Sequence, residues 1–216
     1  VFRRKFWRKF MTSFGMNNKP ILIIFARAPI LGAVKQRLAA GIGTVAAKTF
    51  YLDTVNLVLS QLNPCPKWIT KIAITPDNFA TTGRFWNNKI SKIAQGQGDL
   101  GQRMERAMLN FSFRPVVIIG SDIPTIKRFH IETAFSALGQ NDLVLGPSND
   151  GGYWLVGARL GLIARGLFRM VRWSTEYALE DTLKNSLTRR VKLISTLEDV
   201  DDVKDFERWK KASYLS

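Results

Sequence analysis

Short, largely apolar runs alternate along this chain with longer segments whose apolar residues recur every three or four positions. The runs at 21–26, 69–75, 90–94, 116–120, 143–145, 153–156 and 191–194 are brief and mostly β-branched, and they predict strands. Helical spacing marks 44–62, where Val45, Phe50, Leu52, Val55, Leu59 and Leu62 keep close to one face until Asn63-Pro64 ends the pattern. Further helices are expected after the first strand, at 100–111 behind Asp99, at 127–138, near 162–168, over 175–187 and after Asp202. Residues between the second and third runs read as a polar, Asn-rich connection. Strands and helices in alternation predict an α/β chain: a mostly parallel sheet with helices on both faces. No repeat or linker divides it, so residues 19–216 are expected to form one domain.

The run Val116-Val117-Ile118-Ile119-Gly120-Ser121-Asp122 carries the most chemistry. A strand without polar alternation is buried on both faces, as in a parallel sheet. It delivers Asp122 to its carboxyl end, where open α/β sheets place their ligands. A second carboxylate, Asp150, precedes Gly151-Gly152, which let backbone approach a ligand closely. Together they suit a divalent cation and a phosphorylated ligand. Each also has a plainer reading, Asp122 as a cap and Asp150 as a hairpin turn residue.

Composition narrows the classes. The formal charge is +15 over 216 residues. Arg3, Arg4, Lys5, Arg8 and Lys9 supply a third of that excess within an acid-free aromatic arm, residues 1–18. That arm fits peripheral contact with an anionic membrane. Met11 and Met16 follow its basic part, and translation is expected to start at one of them. No apolar run approaches the ~18 residues of a membrane span. Cys65 is the only cysteine and excludes an intrachain disulfide, which fits a reducing, cytoplasmic setting. His130 is the only histidine, against a histidine-rich zinc site or a Ser-His-Asp triad. Basic residues are scattered, with no nucleic-acid-binding motif, so a specific nucleic acid is not expected; a basic nucleic-acid-binding module is the reading from another class.

Three further segments point to ligands. After the first strand come Arg27, Gly32, Lys35, Gln36 and Arg37, where a helix start and basic side chains favour phosphate oxygens. Gln97, Gly98, Asp99 and Arg103 lie in a stretch with glycines at 96, 98 and 101, which frees the backbone to wrap a ligand, while Asp99 suits a helix cap. Trp173, Ser174 and Thr175 offer a ring for stacking and a cap for the helix that follows.

In this order the motifs Phe-x-x-x-Pro-x-x-Gly-x-Val-Lys-x-Arg-Leu, Gly-Asp-Leu-Gly-x-Arg-Met, Gly-Ser-Asp-x-Pro, Asp-Gly-Gly-Tyr-x-Leu-x-Gly and Trp-Ser-Thr resemble small bacterial glycosyltransferase-like proteins related to phospholactate guanylyltransferase. These belong to the nucleotide-diphospho-sugar transferase, GT-A-like, superfamily, and the resemblance covers roughly residues 19 to 205. It implies a three-layer Rossmann-like GT-A sandwich with a mixed, mostly parallel sheet. It also implies a metal-assisted glycosyltransferase using a nucleoside-diphosphate sugar donor, a small-molecule acceptor and Mg²⁺ or Mn²⁺. By position, Arg27, Gly32, Lys35 and Arg37, with Gln97, Gly98, Asp99 and Arg103, would face the nucleotide and its phosphates. Asp122 would hold the metal and Asp150 would sit in the donor or acceptor pocket; of the two, Asp150 is the better candidate to orient or deprotonate an acceptor hydroxyl. Gly151, Gly152, Tyr153, Trp173, Ser174 and Thr175 would line the donor or acceptor pocket. The chain has Arg27 and Gln36 where many relatives carry Lys and Thr, and Gly120 where an Asp-x-Asp pair would begin. The alternative within the same fold is a nucleotidyltransferase that consumes a nucleoside triphosphate and releases pyrophosphate.

Overall fold

The structure, a computed structural model, describes residues 19–83, 85–86 and 90–214, so the basic arm with Met11 and Met16 lies outside the described residues. Seven strands form one sheet in the order β3-β2-β1-β4-β6-β5-β7. They are β1 (Ile21–Arg27), β2 (Ile69–Thr75), β3 (Ser91–Ala94), β4 (Val116–Ile119), β5 (Leu143–Pro147), β6 (Tyr153–Ala158) and β7 (Val191–Leu193). β1 to β4 pair in parallel, and β5 pairs in parallel with β7. β6 alone runs antiparallel, between β4 and β5.

The helices are α1 (Gln36–Ile42), α2 (Thr44–Leu62), α3 (Phe79–Thr82), α4 (Leu100–Leu109), α5 (Arg128–Ala137), α6 (Ala178–Ser186) and α7 (Val203–Tyr214), with a 3₁₀ turn at Gly161–Ala164. Alternate residues of β1 and β4 explain the two covered faces. Leu22, Ile24, Val117 and Ile119 pack with Val55, Leu59 and Leu62 of α2 and Ile131 of α5. Ile21, Ile23, Val116 and Ile118 pack with Met104 and Met108 of α4 and with Leu167 and Phe168. α1, α2 and α7 meet outside the sheet, where Phe50 stacks edge-on against Phe206 and Trp209 at 5.1 and 5.2 Å.

Three local expectations change. The polar connection before β3 holds the short helix α3. The helix expected near 162–168 is one 3₁₀ turn followed by irregular chain. The helix expected from 175 starts at Ala178, because Ser174 takes a left-handed φ of 60° and Thr175 bonds back to the preceding turn. Thr175 Oγ1 donates to the Arg172 carbonyl at 2.7 Å and accepts from the Tyr177 N–H at 3.3 Å, so it closes a turn and caps no helix. No described helix is long and apolar enough to cross a membrane.

Candidate active site

A cleft of ≈ 1010 Å³ opens over the carboxyl ends of β1, β2 and β4. Its floor exists because neighbouring strands stop at different heights. β1 pairs with β4 only from Ile21/Val116 to Ile24/Ile119, after which the β4 chain turns away at Gly120-Ser121-Asp122. β1 runs on to Arg27, whose backbone groups then lack a partner strand on that side. Tyr51 of α2 replaces it: its buried hydroxyl accepts from the Arg27 N–H and donates to the Arg27 carbonyl, both at 2.9 Å, with Ser121 Oγ at 3.4 Å. One phenol thus props β1 and β4 apart.

An acidic centre occupies the β4 side. Asp122 faces Asp199 and Asp201, and carboxylate oxygens of all three lie within 4.8 Å of one another. Lys35 reaches into them, with Nζ 2.6 Å from Asp201 Oδ1 and 3.1 Å from Asp122 Oδ2. Its side chain is 8% exposed. Burial alone would lower the Lys35 ammonium, but the two carboxylates outweigh it and hold it above the ordinary lysine range. Burial would likewise raise Asp122, yet the Lys35 charge and hydrogen bond keep it below the usual carboxylate range. Asp199 has no such hydrogen-bonded cation among the described residues, and the Lys35 charge only partly offsets what acts on it. Burial first, then the charges of Asp122, Asp201 and Asp150, push its carboxyl up to about 7. Three crowded carboxylates against one ammonium leave negative charge uncompensated, and a hard divalent cation with oxygen ligands fits that surplus.

The opposite wall is cationic. Arg27 ends β1, and Arg103 on α4 stands near enough that, after burial, the Arg27 charge is the chief influence lowering its proton affinity. Arg103 Nη1 donates to Gln95 Oε1 at 3.0 Å. Gln95 is itself anchored by Nε2 donating to the Ala26 and Ala73 carbonyls, at 3.1 and 2.9 Å. Two guanidiniums held on one wall suit phosphate oxygens. Arg37 lines the cleft too, loosely facing Asp201 and Asp202 at 3.9 and 3.8 Å. α1 is only seven residues long and carries no side-chain cap, so side chains and not a helix terminus supply this positive potential.

The third wall comes from the β5–β6 turn and residues 173–176. Asp150 Oδ1 accepts from Ser148 Oγ at 2.7 Å and from the Gly152 N–H at 2.9 Å. One oxygen therefore fixes the turn, and the carboxylate lines the cleft. Trp173 is packed by Tyr153 and Phe168, at 6.3 and 6.2 Å between ring centroids. A Cβ at Gly101 would lie 2.7 Å from the Trp173 ring, so that glycine makes room for the indole.

Of the residues singled out in the sequence, Arg27, Lys35, Arg37, Asp99, Arg103, Asp122, Asp150, Gly152, Tyr153, Trp173, Ser174 and Thr175 line this one cleft. Gly32, Gln97, Gly98 and Gly151 do not. The glycines at 96 and 98 serve the loop itself, with φ of 81° and 102°. Arg106 ties that loop down by donating to the Gln95 and Gln97 carbonyls at 2.9 and 2.8 Å. Asp99 caps α4 in a reciprocal box with Gln102. His130 accepts the Lys127 N–H at 3.0 Å, a local cap at the start of α5. Sequence reasoning missed Asp199, Asp201 and Tyr51. The run Glu198-Asp199-Val200-Asp201-Asp202 in so basic a chain was the available signal for the first two.

Comparison with known proteins agrees with the architecture. A family model described as "Uncharacterized protein conserved in bacteria (DUF2064)" matches residues 58–175. No curated protein matches. Among solved structures, a protein of Desulfovibrio desulfuricans G20, provisionally assigned as a nucleotide-diphospho-sugar transferase, superposes with a TM-score of 0.84 at 27% identity, over 91% of this chain and 88% of its own. CMP:2-keto-3-deoxy-manno-octonic acid synthetase complexed with CTP gives 0.61 at 11%, over 92% and 99%. A Mycobacterium tuberculosis H37Rv protein in complex with manganese gives 0.53 at 12%, over 90% and 98%. At 11% and 12% identity the last two bear on the fold alone. The fold is the Rossmann-like one of nucleotide-diphospho-sugar transferases.

Proposed function

The chain belongs to that bacterial family, DUF2064, and we propose that it is a metal-assisted glycosyltransferase using a nucleoside-diphosphate sugar. The observation that carries this reading is the opposition, within one cleft, of a cationic wall and an acidic centre with surplus negative charge. Arg27 and Arg103, with Arg37 at the rim, would hold the donor's diphosphate. Asp122, Asp199 and Asp201 would hold Mg²⁺ or Mn²⁺. When bound, that ion supplies Lewis-acid stabilisation of charge on the departing diphosphate. Lys35 keeps Asp122 ionised and would hold it in line with Asp201.

Asp150 would orient the acceptor. Its Oδ1 is fixed by the turn, which leaves Oδ2 to accept a hydrogen bond from an acceptor hydroxyl and take its proton as the new bond forms. The acceptor oxygen bonds the anomeric carbon, the anomeric carbon–oxygen bond to the diphosphate breaks, and nucleoside diphosphate leaves.

The arginine wall would serve a nucleoside triphosphate equally well, and the fold is shared with a CTP-binding synthetase. Nucleotidyl transfer with release of pyrophosphate is therefore the second reading. A thermal-shift screen of diphosphate sugars and triphosphates, with and without Mn²⁺, separates the two. A ligand at ~100-fold excess over Kd stabilises by about 2.7 kcal/mol. A metal-dependent shift with a diphosphate sugar, lost in Asp122→Ala, is the expected result. A shift confined to triphosphates would move the assignment to nucleotidyl transfer, and no shift with either would end both.

A further inference from the structure

The three walls of the cleft differ in sign, and the difference bears on the co-substrate. Among the described residues, every cation that lines it comes from the β1–α1 segment or α4: Arg27, Lys35, Arg37 and Arg103. The wall made by the β5–β6 turn and residues 173–176 contributes the carboxylates Asp150 and Glu176 and no lysine or arginine. The nearest arginine in sequence, Arg172, is committed elsewhere. Its Nε and Nη2 both donate to Asp181 at 2.8 Å, and its guanidinium lies 4.0 Å over the Tyr177 ring. Lys35 is equally committed, to Asp122 and Asp201.

A molecule seated against this wall meets two carboxylates, which only accept hydrogen bonds, an aromatic ring and the neutral hydroxyls of Ser174 and Thr175, with no cationic donor among them. Its hydroxyls can donate to the carboxylates, and it gains nothing from negative charge. Trp173 is held in place by its neighbours Tyr153 and Phe168 and by the space at Gly101. Met170 and Ser174, both in left-handed backbone conformations with φ of 53° and 60°, bracket it. Such strain in non-glycine residues persists where the surroundings over-determine a geometry. Here that geometry presents an indole at the cleft wall, and the C–H faces of a sugar ring stack on such a surface while its hydroxyls reach the carboxylates.

Resting on the transferase reading above, we infer that the acceptor is an uncharged polyhydroxyl compound of the sugar or glycoside class, and not a phosphorylated or carboxylated acid. A phosphomonoester acceptor would need a cation on the wall where the structure puts Asp150 and Glu176. A dianion facing those charges across the width of a sugar, at low salt, is disfavoured by at least about tenfold relative to its neutral counterpart.

Saturation-transfer NMR on the full chain tests this, with neutral methyl glycosides, the corresponding sugar phosphates and 3-phosphoglycerate as probes. Each is measured in Mg²⁺ with and without nucleotide. With nucleotide covering the arginine wall, the expected result is saturation transfer to at least one glycoside, lost in Trp173→Ala, with the phosphorylated probes at least about tenfold weaker at low salt and the gap closing as salt rises. Glu176→Lys, at an exposed position, keeps the test independent of folding: it is expected to recover sugar-phosphate binding by about tenfold or more. Equal or tighter binding of the phosphorylated probes at low salt with nucleotide bound, no glycoside signal at millimolar concentration, or a Glu176→Lys variant that leaves the preference unchanged would each overturn the inference. Failure of every nucleotide to stabilise the protein would instead overturn the transferase reading, because the glycoside preference is also measured without nucleotide.

Discussion

Replacing Lys35 by methionine keeps the aliphatic stem and deletes the ammonium between Asp122 and Asp201. In a fully buried pair, removing one partner costs about 3–5 kcal/mol because the other charge is stranded. Lys35 is nearly buried at 8% exposure, but the carboxylates it serves are 35% and 38% exposed to the cleft. Water can screen them, so about half the buried figure applies, roughly 2 kcal/mol near neutral pH. For a chain of this size that is a fall in Tm of about 4–8 °C. The pH dependence identifies the cause. Lys35 now holds Asp122 low; without it, burial dominates and the folded-state pKa of Asp122 rises above its unfolded value. The penalty is then absent below the unfolded pKa, about 3.9, and grows as pH rises through the raised folded value. Urea denaturation in EDTA should show a deficit in Lys35→Met that is smaller near pH 4 than near pH 8. Millimolar Mn²⁺ should restore the variant more than the wild type. A deficit that is equal at both pH values, or below about 0.5 kcal/mol near neutrality, would refute the counter-ion role of Lys35.

Tyr51→Phe removes the hydroxyl that satisfies both backbone groups of Arg27, and a loss of about 1–3 kcal/mol in urea denaturation is expected, with weaker nucleotide-induced stabilisation; unchanged stability would show that another group takes its place. Asp199, with its pKa pushed up to about 7, must shed a proton to bind a cation. Calorimetric Mn²⁺ affinity should therefore rise by about tenfold per pH unit below neutrality and level off above it, with proton release on the acid side. An affinity flat across that range would refute it.

Much of the architecture was legible because it rests on local pattern. β1, α2, β2 and β4 announce themselves by largely apolar, β-branched runs, helical spacing and proline stops, and the carboxyl end of a buried strand is where Asp122 was expected and where it lies. What escaped is contact between distant segments. Asp199 and Asp201 looked like the prelude to a last helix, since no local rule says that this helix packs on α1 and α2 and turns the run toward β4. Lys35 read as a free phosphate ligand because its partners are remote in sequence. The glycines at 96 and 98 read as a ligand cradle, whereas their left-handed backbone serves a loop tied down by Arg106.

The acidic centre draws Asp122 from the middle of the chain and Asp199 and Asp201 from the segment just before α7. α7 is pinned by the Phe50–Phe206 and Phe50–Trp209 ring contacts, on the far side of α2 from the sheet. Occupancy of the centre and docking of that helix are thus two readouts of one equilibrium. Anything that pries α7 from the surface withdraws two carboxylates from the cleft, and any cation gripped there glues the helix down. A surface event at Trp209 is therefore expected to be felt in the cleft as a change in the affinity for any cation held by Asp199 and Asp201.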